Sequence, residues 1–199
     1  MKSNSSKLAF TGSVVLLAAG IAQAHPGHNG HGGLYGGFAH PFSGIDHILA
    51  MTAVGLLAVQ NGKRALWLLP LTFLALMVAG GLLNLSGVSV PFVEQSTSAS
   101  VLVLGLLIAL AGRMPMGVPT ALVGLFAVFH GYAHVGEMNA GASPAFYAVG
   151  FITATAILHA IGIALGLLAR RTAPEPLLRL GGAAIAACGL LLVTGLITA

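Results

Sequence analysis

The chain has 199 residues, 57% of them hydrophobic and 6% charged, and its mean hydropathy is +0.96; a soluble domain carries roughly 25% charged residues, so the composition excludes one and specifies an all-α integral membrane protein. The formal net charge of +4 comes from eight Lys and Arg that lie mostly in short gaps between apolar runs, a pattern that reports membrane topology and excludes a nucleic-acid surface. Cys188 is the only cysteine, which excludes an intramolecular disulfide and a thiolate metal cluster; within the last apolar run it reads as a packing residue.

The first segment, MKSNSSKLAFTGSVVLLAAGIAQA (1–24), has Lys2 and Lys7, an apolar run from Leu8 and Ala22-Gln23-Ala24 as an A-x-A cleavage signal. This is the layout of a secretory signal peptide. The alternative is an uncleaved first helix, which the brevity of the run disfavours. Cleavage starts the mature chain near His25 and leaves residues 25–41 as a His/Gly-rich extracytoplasmic N-terminal segment. In HPGHNGHGG, His25, His28 and His31 recur at three-residue spacing, and His25 would contribute a free amine. The tail is either a metal-capture device or an inert solvated linker.

Residues 42–199 read as a transmembrane helical domain. Apolar runs near 42–61, 65–84, 96–112, 117–137, 144–169 and 177–198 each come close to the roughly 20 residues that span a bilayer, which predicts about six transmembrane helices. Lys63 and Arg64 follow the first run, Arg113 the third, and Arg170, Arg171 and Arg179 flank the gap after the fifth. These alternate gaps are expected on the cytoplasmic side. The opposite gaps carry Glu94 or Glu137 and no Lys or Arg, so the N terminus emerges outside, as a signal peptide requires. Gly at 28 positions predicts close helix packing, with Gly162 and Gly166 forming a GxxxG in the fifth helix. Three helices on each side of Arg113 would place two halves in opposite orientations, as in many transporters, although no sequence repeat supports this. Composition leaves a homo-oligomer open.

Few ionisable groups lie inside or at the rims of these runs: His40, Asp46, His47, His130, His134, Glu137 and His159. An Asp at a helix centre costs about 2.5–3.5 kcal/mol on insertion scales, so each is a candidate functional group. In HPFSGIDHILAM (40–51), Pro41 and Gly44 argue against a continuous helix through His40, while Ser43 and Asp46 fit a capping box, S-x-x-D. The first helix is then expected to start near Gly44, with Asp46 and His47 in its first turn and His40 on the preceding loop. On an unbroken helix His40 and His47 would stand about 10.5 Å apart along the axis, too far for one ion. Folded back, His40 reaches it. The plainer reading, in which Asp46 caps the helix and His47 is an interface side chain, explains neither histidine.

In FHGYAHVGEM (129–138), His134 falls about 40° to one side of His130 and Glu137 about 20° to the other, so all three share a helix face. Two imidazoles and a carboxylate in a row have the form of a divalent-ion site, although Glu137 alone also fits a solvated rim residue. The start of the first helix and the end of the fourth lie at the same outer face, where these groups converge. In SPAFYAVGFITATAILHAIG (143–162), Ser143 is the expected cap and Pro144 the first helical position, which puts His159 about 15 residues, or roughly 22 Å, further in. Thr155 lies one turn before it on the same face. His159 is either a hydrogen-bonded packing residue or a relay ligand on an inward path. Imidazole with carboxylate and no thiolate suits Ni(II), Co(II) or Zn(II) better than Cu(I) or Mg(II), and the six Met are scattered.

On these motifs the chain resembles the HupE/UreJ family of nickel/cobalt transporters. The resemblance rests on HPFSGIDHILAM with the following VGLLA, on FHGYAHVGEM and on GFITATAILHAIG, and with the signal peptide and helix count it covers essentially the whole mature chain. It implies a multi-pass protein of the bacterial cytoplasmic membrane that takes up Ni2+ or Co2+ for metalloenzymes such as hydrogenase or urease. By matching positions it carries His40, Asp46 and His47 over from the first motif, and His130, His134 and Glu137 from the second. The first motif is also similar to the H-x4-D-H signature of the separate nickel–cobalt permeases, with five residues here between His40 and Asp46. The second motif usually reads H-G-H-A-H, whereas this chain has Tyr132 at its centre. That position lies about 200° from His130 around the helix, so Tyr132 is expected to face away from the site, with selectivity the property it puts in question.

Three other classes compete. Paired transmembrane histidines can ligate haem in an electron-transfer protein, which the neighbouring acidic groups argue against. A membrane metalloenzyme would need a motif such as HExxH or GxSxG, and neither occurs in the sequence. A metal-binding accessory protein without transport is the third. No GxxxxGK[ST] loop is present, so direct ATP coupling within this chain is not expected. The chain is read as a non-enzyme without resident cofactor, whose partners are the divalent ion and the lipid bilayer.

Overall fold

The computed structural model describes residues 33–110, 112–139, 141–172 and 176–198. The signal-peptide segment and His25, His28 and His31 lie outside the described residues. Within them the fold is all-helical, with seven α-helices: α1 Leu34–Ala39, α2 Ile45–Asn61, α3 Ala65–Leu85, α4 Val93–Leu110, α5 Gly117–Gly136, α6 Pro144–Thr172 and α7 Pro176–Val193. A short 3-10 helix, His40–Phe42, joins α1 to α2.

The expected apolar runs and the observed helices coincide closely. Four helices, α3 to α6, are long and apolar enough to cross a membrane, and the pair formed by Leu34–Phe42 and α2, bent by 82°, makes a fifth if taken as one crossing. The apolar part of α7 is shorter, Leu177–Val193. The protein is therefore a multi-pass membrane protein by its helices. Large apolar side chains on the outside, such as Trp67, Leu71 and Leu82 of α3 and Phe146 and Val149 of α6, are exposed, as lipid-facing positions require.

The first run breaks where expected, but by different bonds. Gly44 adopts an extended conformation (φ −107°, ψ 131°) and is the residue before α2, with no side-chain cap. The predicted capping box does not form: Ser43 Oγ donates to the His40 carbonyl at 2.7 Å, and the Asp46 carboxylate is engaged by His47. Asp46 remains in the first turn of α2, where a negative charge suits the helix dipole. The short helix α1 was not foreseen, since six residues of LYGGFA carry too little periodic signal.

α2 is the central helix, packed by α3, α4 and α6, while α3 pairs with α5, α4 with α7 and α1 with α6. Glycines set these contacts. The expected GxxxG is used against α2, with Gly162 on the Thr52 backbone and Gly166 on the Val59 side chain. Gly80 of α3 lies on the Val128 carbonyl of α5, and Gly131 of α5 lies on the Met77 carbonyl of α3. Backbone approaches of this kind replace the hydrophobic drive that helices lack in lipid. At the basic end, Arg170 Nη2 donates to the Gln60 carbonyl at 3.3 Å and the Met114 amide to Asn61 Oδ1 at 3.1 Å. The ends of α2, α4 and α6 that carry Lys63, Arg64, Arg113 and Arg170 thus lie together, as the charge pattern predicts.

A Gly80→Ala variant is expected to lose roughly 1–3 kcal/mol through overpacking, read as a lower unfolding midpoint in detergent. Gly181→Ala, where an added Cβ meets nothing within 4 Å, is expected to hold or raise that midpoint because alanine favours helix.

Candidate metal site

The site begins with a reversal of the chain. α1 lies on α6 because Gly37 meets the Tyr147 backbone and Gly150 meets Leu34 and the Phe38 amide, so two glycine faces admit one another. The 3-10 helix then turns His40 inward, with its ring 6.1 Å from Phe151 and 4.9 Å from His134 by centroid. Gly44 has a second role here: an added Cβ would sit 2.6 Å from Asp46 Oδ1 and 3.0 Å from His47 Nδ1. A side chain here would have to displace that pair.

Three imidazoles converge. One nitrogen each from His40, His47 and His134 lies within 4.8 Å of the other two. An ion bound by imidazole nitrogens at about 2.0–2.1 Å keeps them within about 4.2 Å of one another, so small side-chain adjustments bring all three onto one ion. Asp46 is not among the three. Its carboxylate accepts from His47 Nδ1, and this keeps the proton there and the lone pair on Nε2, which stands 3.4 Å from His134 Nδ1. A carboxylate behind a ligand histidine orients the ring and raises its basicity. Glu137 closes the outer side. Its Oε2 lies 3.0 Å from His40 Nε2 and 3.6 Å from His134 Nδ1, with the carboxyl half exposed. Hydrogen bonds from His134 and His40 hold its pKa well below the usual carboxylate range, so it offers a charged oxygen at the mouth.

His130 and His134, expected on one face, are both buried, at 0% and 2% exposure. They divide in their partners. His134 joins the three-histidine cluster, whereas His130 lies beside it, edge-on to His47 with ring centroids 5.4 Å apart and tilted against Phe73 at 5.7 Å. On the far side of Phe73, at 5.1 Å, is His159. His159 is 1% exposed and neither ring nitrogen has a hydrogen-bond partner. Thr155 does not reach it; its hydroxyl points to Met77 Sδ at 3.9 Å. Among the described residues His159 thus has no hydrogen-bond partner in the protein. Buried imidazole nitrogens without partners carry a desolvation penalty that a bound ion or water would relieve.

Sequence reasoning missed Ser100, whose Oγ is 3.0 Å from His130 Nε2. A serine in an apolar helix has an ordinary intrahelical bond available and carries no distinctive pattern. Tyr132 faces away from the cluster as its helical angle predicts. Its hydroxyl donates to the Val88 carbonyl at 2.9 Å and accepts from the Val90 amide at 3.4 Å, which ties the α3–α4 connection to α5. Tyr132→Phe should accelerate hydrogen exchange at the Val90 amide and leave the histidine resonances of the cluster in place; unchanged exchange would show that the tie bears no load.

Comparison with known proteins bears on the resemblance that the motifs carry. The family model described as HupE / UreJ protein matches residues 13–192. Protein HupE of Rhizobium leguminosarum bv. viciae is 40% identical over 190 residues, covering 96% of this chain and 98% of the relative. No solved structure matches. With nearly the full length matched in both comparisons, the chain belongs to the HupE/UreJ family.

Proposed function

We propose that the protein is a secondary transporter, a permease that takes up Ni2+ or Co2+ across the bacterial cytoplasmic membrane through a His/Asp/Glu site at its outer face. The observation that carries this reading is the convergence of His40, His47 and His134, from three separate segments, with Glu137 at their edge. α2 to α7 are then six crossings, the bend before α2 opens to the extracytoplasmic side, and residues 1–24 are the signal peptide. Glu137 attracts the hydrated ion and the three imidazoles replace part of its water. His130, and beyond Phe73 His159, follow as inward stations. Mixed nitrogen and oxygen ligands in an open arrangement bind weakly enough to release, unlike a closed tetrahedral cage. The membrane potential supplies about 2.3 kcal/mol per charge per 100 mV, which drives a dication inward without nucleotide. His25, His28 and His31 serve as an outer capture tail.

Radioactive nickel and cobalt accumulation in cells expressing the chain, compared at matched membrane abundance, tests this reading. His47→Ala is expected to abolish uptake, and Asp46→Asn to weaken metal affinity about 10–100-fold through the misoriented His47. Normal uptake by the His47 variant would overturn the site. No uptake by the unmodified chain, together with a Soret band in the purified protein, would favour the haem-ligating reading instead.

His28→Ala is expected to slow uptake only when metal is scarce, because a capture tail raises local concentration without forming the transport site. An equal loss at all metal concentrations would place His28 in the route itself.

A further inference from the structure

The inner face of α4 presents a short polar stripe in an apolar bundle. Thr97 and Ser100 are 6% and 0% exposed. The Ser100 hydroxyl donates to the Thr97 carbonyl at 2.6 Å, and a carbonyl only accepts, so the single hydroxyl proton is taken. The same oxygen stands 3.0 Å from His130 Nε2. With no proton left to give, it accepts, and His130 must donate from Nε2. A neutral imidazole has one N–H. Nδ1 of His130 is thereby the bare acceptor, and it is fully buried with no partner in the protein.

The same logic operates one ring away. The Asp46 carboxylate keeps the proton of His47 on Nδ1 and frees Nε2, while Ser100 keeps the proton of His130 on Nε2 and frees Nδ1. The two ring centroids are 5.4 Å apart, so the two rings are neighbours in the bundle. The intrahelical bond to Thr97 already satisfies the serine in the manner usual for membrane helices. Its placement beneath His130 is an additional feature.

We propose that Ser100 is a positioning residue that sets the tautomer of His130, so that Nδ1 of His130 forms a second station for a divalent transition metal behind the outer cluster. This rests on the metal-transport reading. Without the Ser100 oxygen the proton of His130 is free to move to Nδ1, which closes the ligand atom, while the backbone and Cβ of the site stay as they are, because alanine differs from serine only by the Oγ.

The test is 15N NMR of histidine-labelled full chain in nanodiscs, titrated with Zn(II) as a diamagnetic probe, for the unmodified protein, Ser100→Ala and Ser100→Thr. The expected result is a His130 proton on Nε2 and a Zn(II)-dependent shift of its Nδ1 in the unmodified protein and in Ser100→Thr. In Ser100→Ala the midpoint of that shift is expected to rise about 10–100-fold, while the His47 and His134 resonances titrate as before. A His130 proton on Nδ1 in the unmodified protein, an Nδ1 that Zn(II) does not move, or an unchanged midpoint in Ser100→Ala would each overturn the proposal. Unchanged His47 and His134 titrations in Ser100→Ala separate a lost tautomer from a damaged fold. Failure of the unmodified chain to accumulate nickel or cobalt would overturn transport, and the NMR comparison would still decide the role of Ser100.

Discussion

An imidazole buried in an apolar helix bundle must place two ring nitrogens that differ in kind, one a donor and one an acceptor. The rest of this structure depends on how that requirement is met. His47 donates its Nδ1–H to the Asp46 carboxylate, His130 Nε2 faces the Ser100 hydroxyl, and His40 lies against Glu137. For His47 and His130 a single oxygen beside the ring bears on which nitrogen is left over. The unpartnered atoms, among them His130 Nδ1, His134 Nε2 and both nitrogens of His159, are costly in hydrocarbon. They become useful when an electron-pair acceptor such as a divalent ion arrives, because imidazole nitrogen is a strong ligand for borderline metals.

Close backbone approach makes this arrangement achievable. The α3–α5 contact is built on Gly80 and Gly131, and the α2–α6 contact on Gly55, Gly162 and Gly166. Gly131 directly follows His130, so the residue that lets α5 reach α3 also sets the ring of His130 against Phe73. Gly55 sits on the carbonyl of His159, which fixes the depth of that histidine relative to α2. Packing and chemistry are therefore coupled through adjacent residues.

Phe73 has a singular place in this order. Its fully buried ring touches both His130 and His159, which links the imidazoles of the cluster to the deep one. The outer cluster has a half-exposed carboxylate at its edge, whereas His159 is buried with Phe73 against its ring and, among the described residues, no hydrogen-bond partner for either ring nitrogen. The strength of electrostatic interactions rises along that line as water is excluded.

Much of this was legible from local pattern. The apolar runs, the break at Gly44 and the shared face of His130, His134 and Glu137 follow from hydropathy, backbone preference and the 3.6-residue period, all of which are properties of neighbours along the chain. Other features were decided only by tertiary structure. The Asp46 carboxylate bonds to His47 instead of joining Ser43 in a capping box, because the extended Gly44 leaves space over the first turn for the side-chain pair. His40 meets His134 across 94 positions because α1 lies on α6 through Gly37 and Gly150. Ser100 falls beneath His130 because α4 and α5 both pack around the centre of the bundle. The sequence by itself determined which segments are helices and which of their faces carry the candidate ligands, since period and hydropathy act within a segment. Which ligand meets which, and which nitrogen each histidine presents, depended on contacts between segments far apart in the chain, and only the folded bundle supplied them.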